Sequence, residues 1–355
     1  MKKVKFVNKD KSDFYPVLKE QVDQYFKSNG LCRTGGAKLI TKAIVVISFY
    51  VIPFILILTG AFSPIGMLLL AFIMGIGVSG VGMSVMHDAN HGSFSNNAKL
   101  NQFFGWTMYL LGGNVYNWKL QHNTLHHTYT NIHELDEDIT GKFLLRLSLA
   151  DKKKKIQRYQ HIYAFLLYGL MTFSFLAKDF KQIFRFKRSD NPSVKSYPRK
   201  ELIILISTKI LYFFFILALP LLLTDITIGQ WFVGFFVMHF TAGLIMSIVF
   251  QLAHIVEGVS DPVIEPNGDI ENSWAIHQMK TTANFSGNKL LSWFVGGLDY
   301  QIEHHLFPNI SHVHYKSISQ IVKNTARDYN IPYNDKSSFS NAIGSHINML
   351  KTLGR

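Results

Sequence analysis

Four apolar runs, at about residues 41–62, 65–86, 202–223 and 228–252, are each long enough to cross a bilayer at ~20 residues. Inside lipid a single run can satisfy its own backbone polar groups only as a helix, so the fold class is an all-α integral membrane protein. The first two runs are separated by a short uncharged turn at Ser63-Pro64, and the last two by Thr224-Asp225-Ile226-Thr227. The spacing therefore predicts two helical hairpins. Charged residues make up 17% of the chain, below the quarter or so expected of a soluble domain, which agrees with this class.

The net charge of +13 bears first on topology. The loops at Ser63 and Asp225 contain no Lys or Arg. Residues 1–40 and the segment from His87 to Lys200 contain many, including Lys142, the run Lys152 to Lys155, Arg158 and Lys195. The positive-inside rule then predicts a multi-pass protein with both termini cytoplasmic. The same charge suits anionic lipid on that face, or an acidic partner; no recognisable reader motif supports a nucleic-acid partner. Apolar stretches at Phe103 to Val115 and Ile162 to Ala177 are interrupted by Gly or flanked by basic residues. They read as interfacial or re-entrant helices, the second alternatively as a further span. Ser12 to Asn29 reads as an amphipathic helix that either lies at the membrane boundary or packs in a cytosolic cap. The expected organisation is a cytosolic or interfacial segment 1–40, a membrane-embedded functional domain 41–333 and a C-terminal tail 334–355.

Three histidine clusters fall on the side predicted to be cytoplasmic: His87-Asp-Ala-Asn-His91, His122-Asn-Thr-Leu-His126-His127 and Gln301-Ile-Glu-His304-His305. On a helix, His122 and His126 stack one turn apart with His127 beside them, so three imidazoles share one volume. His254 follows the fourth run at the depth at which His87 follows the second, and reads as an interface residue or a further ligand. His239, in the middle of a run, reads as a packed polar residue. His312 and His314 precede a predicted helix from Tyr315 to Tyr329 and read as supporting or capping residues. Cys32 is the only cysteine, which rules out an intrachain disulfide, a zinc ribbon or an iron-sulfur cluster held by this chain alone. So many imidazoles exceed what one ion takes, and the Glu-x-x-His pattern of helical carboxylate di-iron proteins is absent. A histidine-rich dinuclear site at the mouth of two membrane hairpins points to oxygen-dependent lipid oxidation, since an unactivated C–H bond needs a strong oxidant.

The order and separation of these clusters resemble the three histidine boxes of the membrane fatty acid desaturases. Gln301 at the start of the third box resembles the front-end subgroup, which inserts a double bond between an existing one and the carboxyl end. Flanking sequence is similar too, at His126-His-Thr-Tyr-Thr-Asn131 with Asp136 and Asp138, Thr281-Thr-Ala-Asn-Phe285 and Tyr300-Gln-Ile-Glu-His-His-Leu-Phe-Pro308. The resemblance implies four spanning helices under a cytoplasmic cap, and a di-iron centre using dioxygen. It implies His87, His91, His122, His126, His127, His254, His304 and His305 as ligands. Asp88, Asn90, Asp138 and Glu303 are then candidates to orient imidazoles, Asp138 alternatively a solvated surface residue. Gln301 takes a position that is a ligand in relatives with His there. Substrates would be fatty acyl-CoA or acyl-lipid. With no haem motif in the sequence, electrons are expected from a separate ferredoxin or a b-type cytochrome with its reductase.

Two other functions compete at this stage. A hydroxylase on the same di-iron scaffold would add oxygen where a desaturase removes two hydrogens. A membrane metal transporter would place ionisable residues within the spans, whereas the clusters sit at or beyond the span ends.

Overall fold

The computed structural model describes residues 4–9, 11–140, 143–188, 197–285 and 287–355. Lys142 and Lys195 lie outside the described residues. Among these residues four helices are long and apolar enough to cross a membrane: span 1 (Ala37–Leu58), span 2 (Pro64–His91), span 3 (Arg199–Leu223) and span 4 (Ile228–His254). Among the described residues the regular structure is helical apart from two-residue strands, Lys5–Phe6 against Asp269–Ile270 and Asn284–Phe285 against Asp335–Lys336, both parallel.

Local chemistry sets the hairpin ends. Ser63 caps span 2 by accepting the Gly66 amide at 3.2 Å, with Pro64 in the first turn. Thr227 and Gln230 cap span 4 reciprocally, Gln230 N–H donating to Thr227 Oγ1 at 3.2 Å and Thr227 N–H to Gln230 Oε1 at 2.9 Å. Span 2 is the central helix, packed between spans 1 and 4. A Cβ on Gly77 would sit 2.6 Å from the Tyr50 amide nitrogen, and one on Gly75 2.6 Å from the Met238 carbonyl oxygen. Glycine is what lets these backbones touch.

Span 2 extends past Met86, where the apolar run stops, to His91. The polar residues that end the run are buried by the rest of the protein, so the helix has no reason to stop there. The stretch Ile162 to Ala177 is not one helix. The segments Lys155–Tyr168 and Met171–Lys187 meet at 86°. They meet where Gly169 presses on span 4: a Cβ there would fall 2.2 Å from the Phe240 ring, and one on Gly243 2.5 Å from the Gly169 carbonyl oxygen. The other stretch, Phe103 to Val115, is broken at Gly112 in the left-handed region (φ +75).

A cap covers one end of the bundle. Helix Phe14–Ser28 buries Phe14, Leu18, Val22 and Phe26 with Ile318, Val322 and Ala326 of helix Tyr315–Asp328. It is a packing helix, the second of the two readings its pattern allowed. The segment expected as a tail forms helix Phe339–Gly354, whose His346 bonds the Tyr168 hydroxyl at 2.8 Å and the Ile255 carbonyl at 2.7 Å.

Candidate metal centre

Each histidine cluster is delivered by a helix end at the face where span 2, span 4 and the cap meet. His87 and His91 lie in Met86–His91, the last turns of span 2, directly after a π-helical stretch at Val81–Val85. His122 and His126 lie in a second π-helical stretch, Lys119–His126. His304 and His305 lie in Gln301–Leu306, and His254 is the last residue of span 4.

The π-helical turn changes how the second cluster is shared out. Bonding i to i+5 instead of i to i+4 brings His127 over His122, their Nε2 atoms 3.3 Å apart. In an α-helix the two would point about 140° apart. His122 joins His87, His91 and His304 in one group, and His126 joins His254 and His305 in a second; within each group one ligand atom per residue lies within 4.8 Å of the others. The expected single volume for His122, His126 and His127 is thus two neighbouring volumes. His127 lies between them, its ring stacked on His305 at 4.4 Å and set edge-on to His91 at 4.8 Å and His304 at 4.7 Å. Trp118 stacks on His122 at 4.4 Å and walls the first group.

Around this set an outer layer holds the Nδ1 side of the rings. His126 Nδ1 donates to Asp136 Oδ2 at 3.0 Å, with Asp138 Oδ2 at 3.4 Å. His305 Nδ1 donates to Gln278 Oε1 at 2.8 Å, and His254 Nδ1 to the Thr281 carbonyl at 3.2 Å. His304 Nδ1 lies 3.1 Å from the Tyr315 hydroxyl. With Nδ1 of His304 and His305 occupied, their Nε2 atoms are buried with no hydrogen-bond partner, as is Nε2 of His91. Burial, then the neighbouring imidazoles, push His122, His127, His304 and His305 well below the ordinary histidine range. Buried rings disfavoured in their charged form, with ring nitrogens converging on one another, are the donor set a cation satisfies. Burial also disfavours the charged form of His126, but the Asp136 carboxylate outweighs it and raises this ring to about 9. Asp136 is held low by that contact and by the amides of Asn131 and Asp138, against the upward push of burial.

The orienting candidates divide. Asp138 reaches His126 while its other oxygen accepts from Gln121 Nε2 at 3.2 Å. Asp88 Oδ1 faces His87 Nδ1 at 3.9 Å. Asn90 orients no imidazole: its amide donates to the Gly105 carbonyl at 3.3 Å, because it sits on the side of the turn away from the site. Glu303 points away as well, accepting from Asn284 Nδ2 at 2.8 Å and the Tyr333 hydroxyl at 2.9 Å; burial raises it to about 7. Gln301 Oε1 is buried without a partner and belongs to neither histidine group. His239 is enclosed in span 4 between the Tyr212 hydroxyl at 2.6 Å and Thr172 Oγ1 at 3.1 Å, the packed polar role expected. Sequence reasoning did not assign Asp136, Gln278, Thr281 or Tyr315 to the site. Asp136 carried a signal, in an Asp-x-Asp pattern soon after the second cluster, and Thr281 began one of the flanking segments similar to the family; Gln278 and Tyr315 carried none.

The fatty acid desaturase family model matches residues 63–337. The chain is 31% identical over 360 residues to the sn-1 linoleoyl-lipid 6-desaturase of Synechocystis sp., covering 99% of this chain and 98% of that one. It is 32% identical to an acyl-lipid (8-3)-desaturase of Physcomitrium patens, over 99% of this chain and 74% of the relative. A further relative, the sn-1 linoleoyl-lipid 6-desaturase of Arthrospira platensis, is 30% identical over 96% of this chain and 92% of its own. The chain belongs to the fatty acid desaturase family. It is a multi-pass membrane oxidoreductase of the front-end type, with a metal centre, acting on fatty acyl chains.

Proposed function

We propose that this protein inserts a cis double bond into an acyl chain carried on a membrane lipid, at a centre of two iron ions. His87, His91, His122 and His304 would hold one ion and His126, His254 and His305 the other, with His127 between them available to either. The observation that carries this reading is the division of seven buried or half-buried imidazoles into two adjacent groups, the second held at Nδ1 by Asp136, Gln278 and the Thr281 carbonyl. When bound, the iron pair supplies the oxidising power: dioxygen, two electrons and two protons take two hydrogens from the chain and leave as two waters.

The chain's own residues do the rest. Asp136 and Asp138 fix the ring of His126, and Gln278 and Tyr315 fix those of His305 and His304. Trp118 limits water on the His122 side. The names of the relatives favour an acyl-lipid over acyl-CoA, and a linoleoyl chain as the first substrate to try. Lys152 to Lys155 and Arg158 lie on the same side of the spans as the histidines, which supports a cytoplasmic site and cytoplasmic termini. Electrons would come from a ferredoxin or a b-type cytochrome with its reductase.

The test is the fatty-acid methyl ester profile of a host expressing this chain and fed linoleic acid, against a His126→Ala control. A more unsaturated product missing from the control is expected, together with about two irons per purified chain. A product heavier by one oxygen, or full conversion by the control, would overturn the reading.

A further inference from the structure

His87 differs from four of the other ligand candidates in how its Nδ1 side is held, and shares a buried, unbonded Nδ1 with His127. The rings of His126, His254, His304 and His305 each have a direct partner at 3.2 Å or less. His87 Nδ1 is buried without a hydrogen bond, and the group facing it is Asp88 Oδ1 at 3.9 Å. The position of that carboxylate therefore matters, and two residues outside the histidine boxes control it.

His312 Nδ1 lies 2.7 Å from Asp88 Oδ2, and His312 Nε2 lies 2.9 Å from Lys42 Nζ. Lysine has only donors, so Nε2 is the acceptor and the proton of a neutral His312 sits on Nδ1, pointed at Asp88. Ser311 Oγ, 3.4 Å away, adds a weaker contact to the same oxygen. Lys42 is 4% exposed and Asp88 2%. A buried ammonium and a buried carboxylate are costly unless paired, and here the imidazole stands between them as the connector. The far end is fixed as well, Lys42 Nζ lying 5.2 Å from the Trp293 ring centroid.

The backbone around the connector is built for this approach. Gly297 is in the left-handed region (φ +67), and a Cβ there would sit 2.7 Å from the His312 Cβ. Ser311 N–H donates to the Arg33 carbonyl at 2.8 Å, while Gly35 and Gly36 N–H donate to the Ser93 and Phe94 carbonyls. The start of span 1, the end of span 2 and the segment after the third histidine box are thus tied together around one carboxylate.

Resting on the two-metal reading above, we propose that Lys42 and His312 are positioning residues for the metal ligand His87. They pin Asp88 so that its free oxygen faces His87 Nδ1, which keeps that ring's Nε2 toward the first metal, 3.2 Å from His122 Nε2. The hydrogen bonds run from Lys42 through His312 to Asp88 and reach no histidine of the two groups directly. Their positioning effect passes through Asp88, and it falls on one of the two metals.

Cobalt(II) binding to the purified full chain tests this, because its visible spectrum reports ligand geometry without turnover. Wild type is expected to bind two equivalents. Lys42→Met and His312→Leu are each expected to bind one equivalent about 10- to 100-fold more weakly in chelator competition, with altered ligand-field bands, while the other equivalent is unchanged. His312→Gln, which keeps one donor and one acceptor, is expected to restore most of the loss. Should His312→Leu not purify as a monodisperse protein, Lys42→Met and His312→Gln decide the matter. Two equivalents of wild-type affinity and spectrum in Lys42→Met would overturn the proposal, as would equal weakening of both equivalents. Fewer than two equivalents in wild type would instead overturn the two-metal reading.

Discussion

Replacing Asp136 by Asn changes one oxygen and one charge at the second histidine group, and its effect can be worked out atom by atom. Asp136 is fully buried; its Oδ2 accepts from His126 Nδ1 and the Asn131 amide, and its Oδ1 from the Asp138 amide, all at 3.0 Å. Asparagine has one acceptor oxygen. Keeping it at the Oδ2 position preserves two bonds and sets its NH2 against the Asp138 amide, leaving a buried donor unpaired at about 1–3 kcal/mol. Turning it over loses two bonds, so the first arrangement wins. The charge effect adds to this. That carboxylate is what raises His126 to about 9, and without it the ring is a poorer donor at Nε2. An outer partner of this kind is worth about 10- to 100-fold in metal affinity, or about 1–3 kcal/mol. Asp138, 3.4 Å from the same Nδ1, softens the loss and places the expectation at the lower end. The assay is chelator competition on the purified protein with thermal unfolding in parallel. One equivalent should leave early, from the His126, His254 and His305 group, while the His87 group keeps its own. Retention of both equivalents at wild-type chelator concentrations, with an unchanged melting temperature, would refute the assignment of Asp136 as the anchor of His126.

Lys209→Met should be the more damaging change for stability. Lys209 Nζ lies 2.7 Å from Asp179 Oδ2 and also bonds the carbonyls of Gly112 and Phe175, all buried, so its loss strands a buried carboxylate at about 3–5 kcal/mol. Adding Asp179→Leu should recover much of the melting temperature, and a double variant no better than the single would count against the pair. Gly77→Val should lower the yield of monodisperse protein and cost about 1–3 kcal/mol or more, since the new Cβ meets backbone at 2.6 Å. Gly66→Ala, which meets only side-chain atoms at 3.4 Å or beyond, is the control and should be nearly silent in the same melt.

The spans were legible because lipid leaves a long apolar run one conformation, and hydropathy alone locates it within a few residues. Where reading by hydropathy failed, the polar residue was buried by the protein instead of meeting water. Span 2 therefore runs on to His91, and Lys42 and Lys209 sit inside helices whose composition alone would discourage them. The ligand candidates were legible because imidazoles at short spacing are conspicuous. Their supports were not. Asp136 reaches His126 only because the chain turns through Asn131 (φ +56) and Glu134 (φ +68), and neither residue advertises a left-handed conformation as glycine would. Tyr315 and Gln278 are ordinary core residues until the third box is packed against them. Asn90 and Glu303 were plausible partners by adjacency. Adjacency along a helix turns a side chain about 100° away from its neighbour, toward a different environment.

The least legible feature is the one that gives the site its form. Nothing in Lys-Leu-Gln-His-Asn-Thr-Leu-His marks it as π-helical, and by α-helical spacing His122 and His126 belong to the same ion. The wider turn leaves these two rings stacked with centroids 5.2 Å apart while it brings His127 to within 4.8 Å of His122 from the other side. One short segment can then serve both groups, with span 2 completing the first and span 4 the second. The widened hydrogen bonds have a cost, and burial of Leu120, Leu125 and the histidines themselves holds them in place. On the two-metal reading proposed above, the spacing His-x-x-x-His-His would serve two ions through one unusual turn, and its meaning depends on the helices that trap that turn.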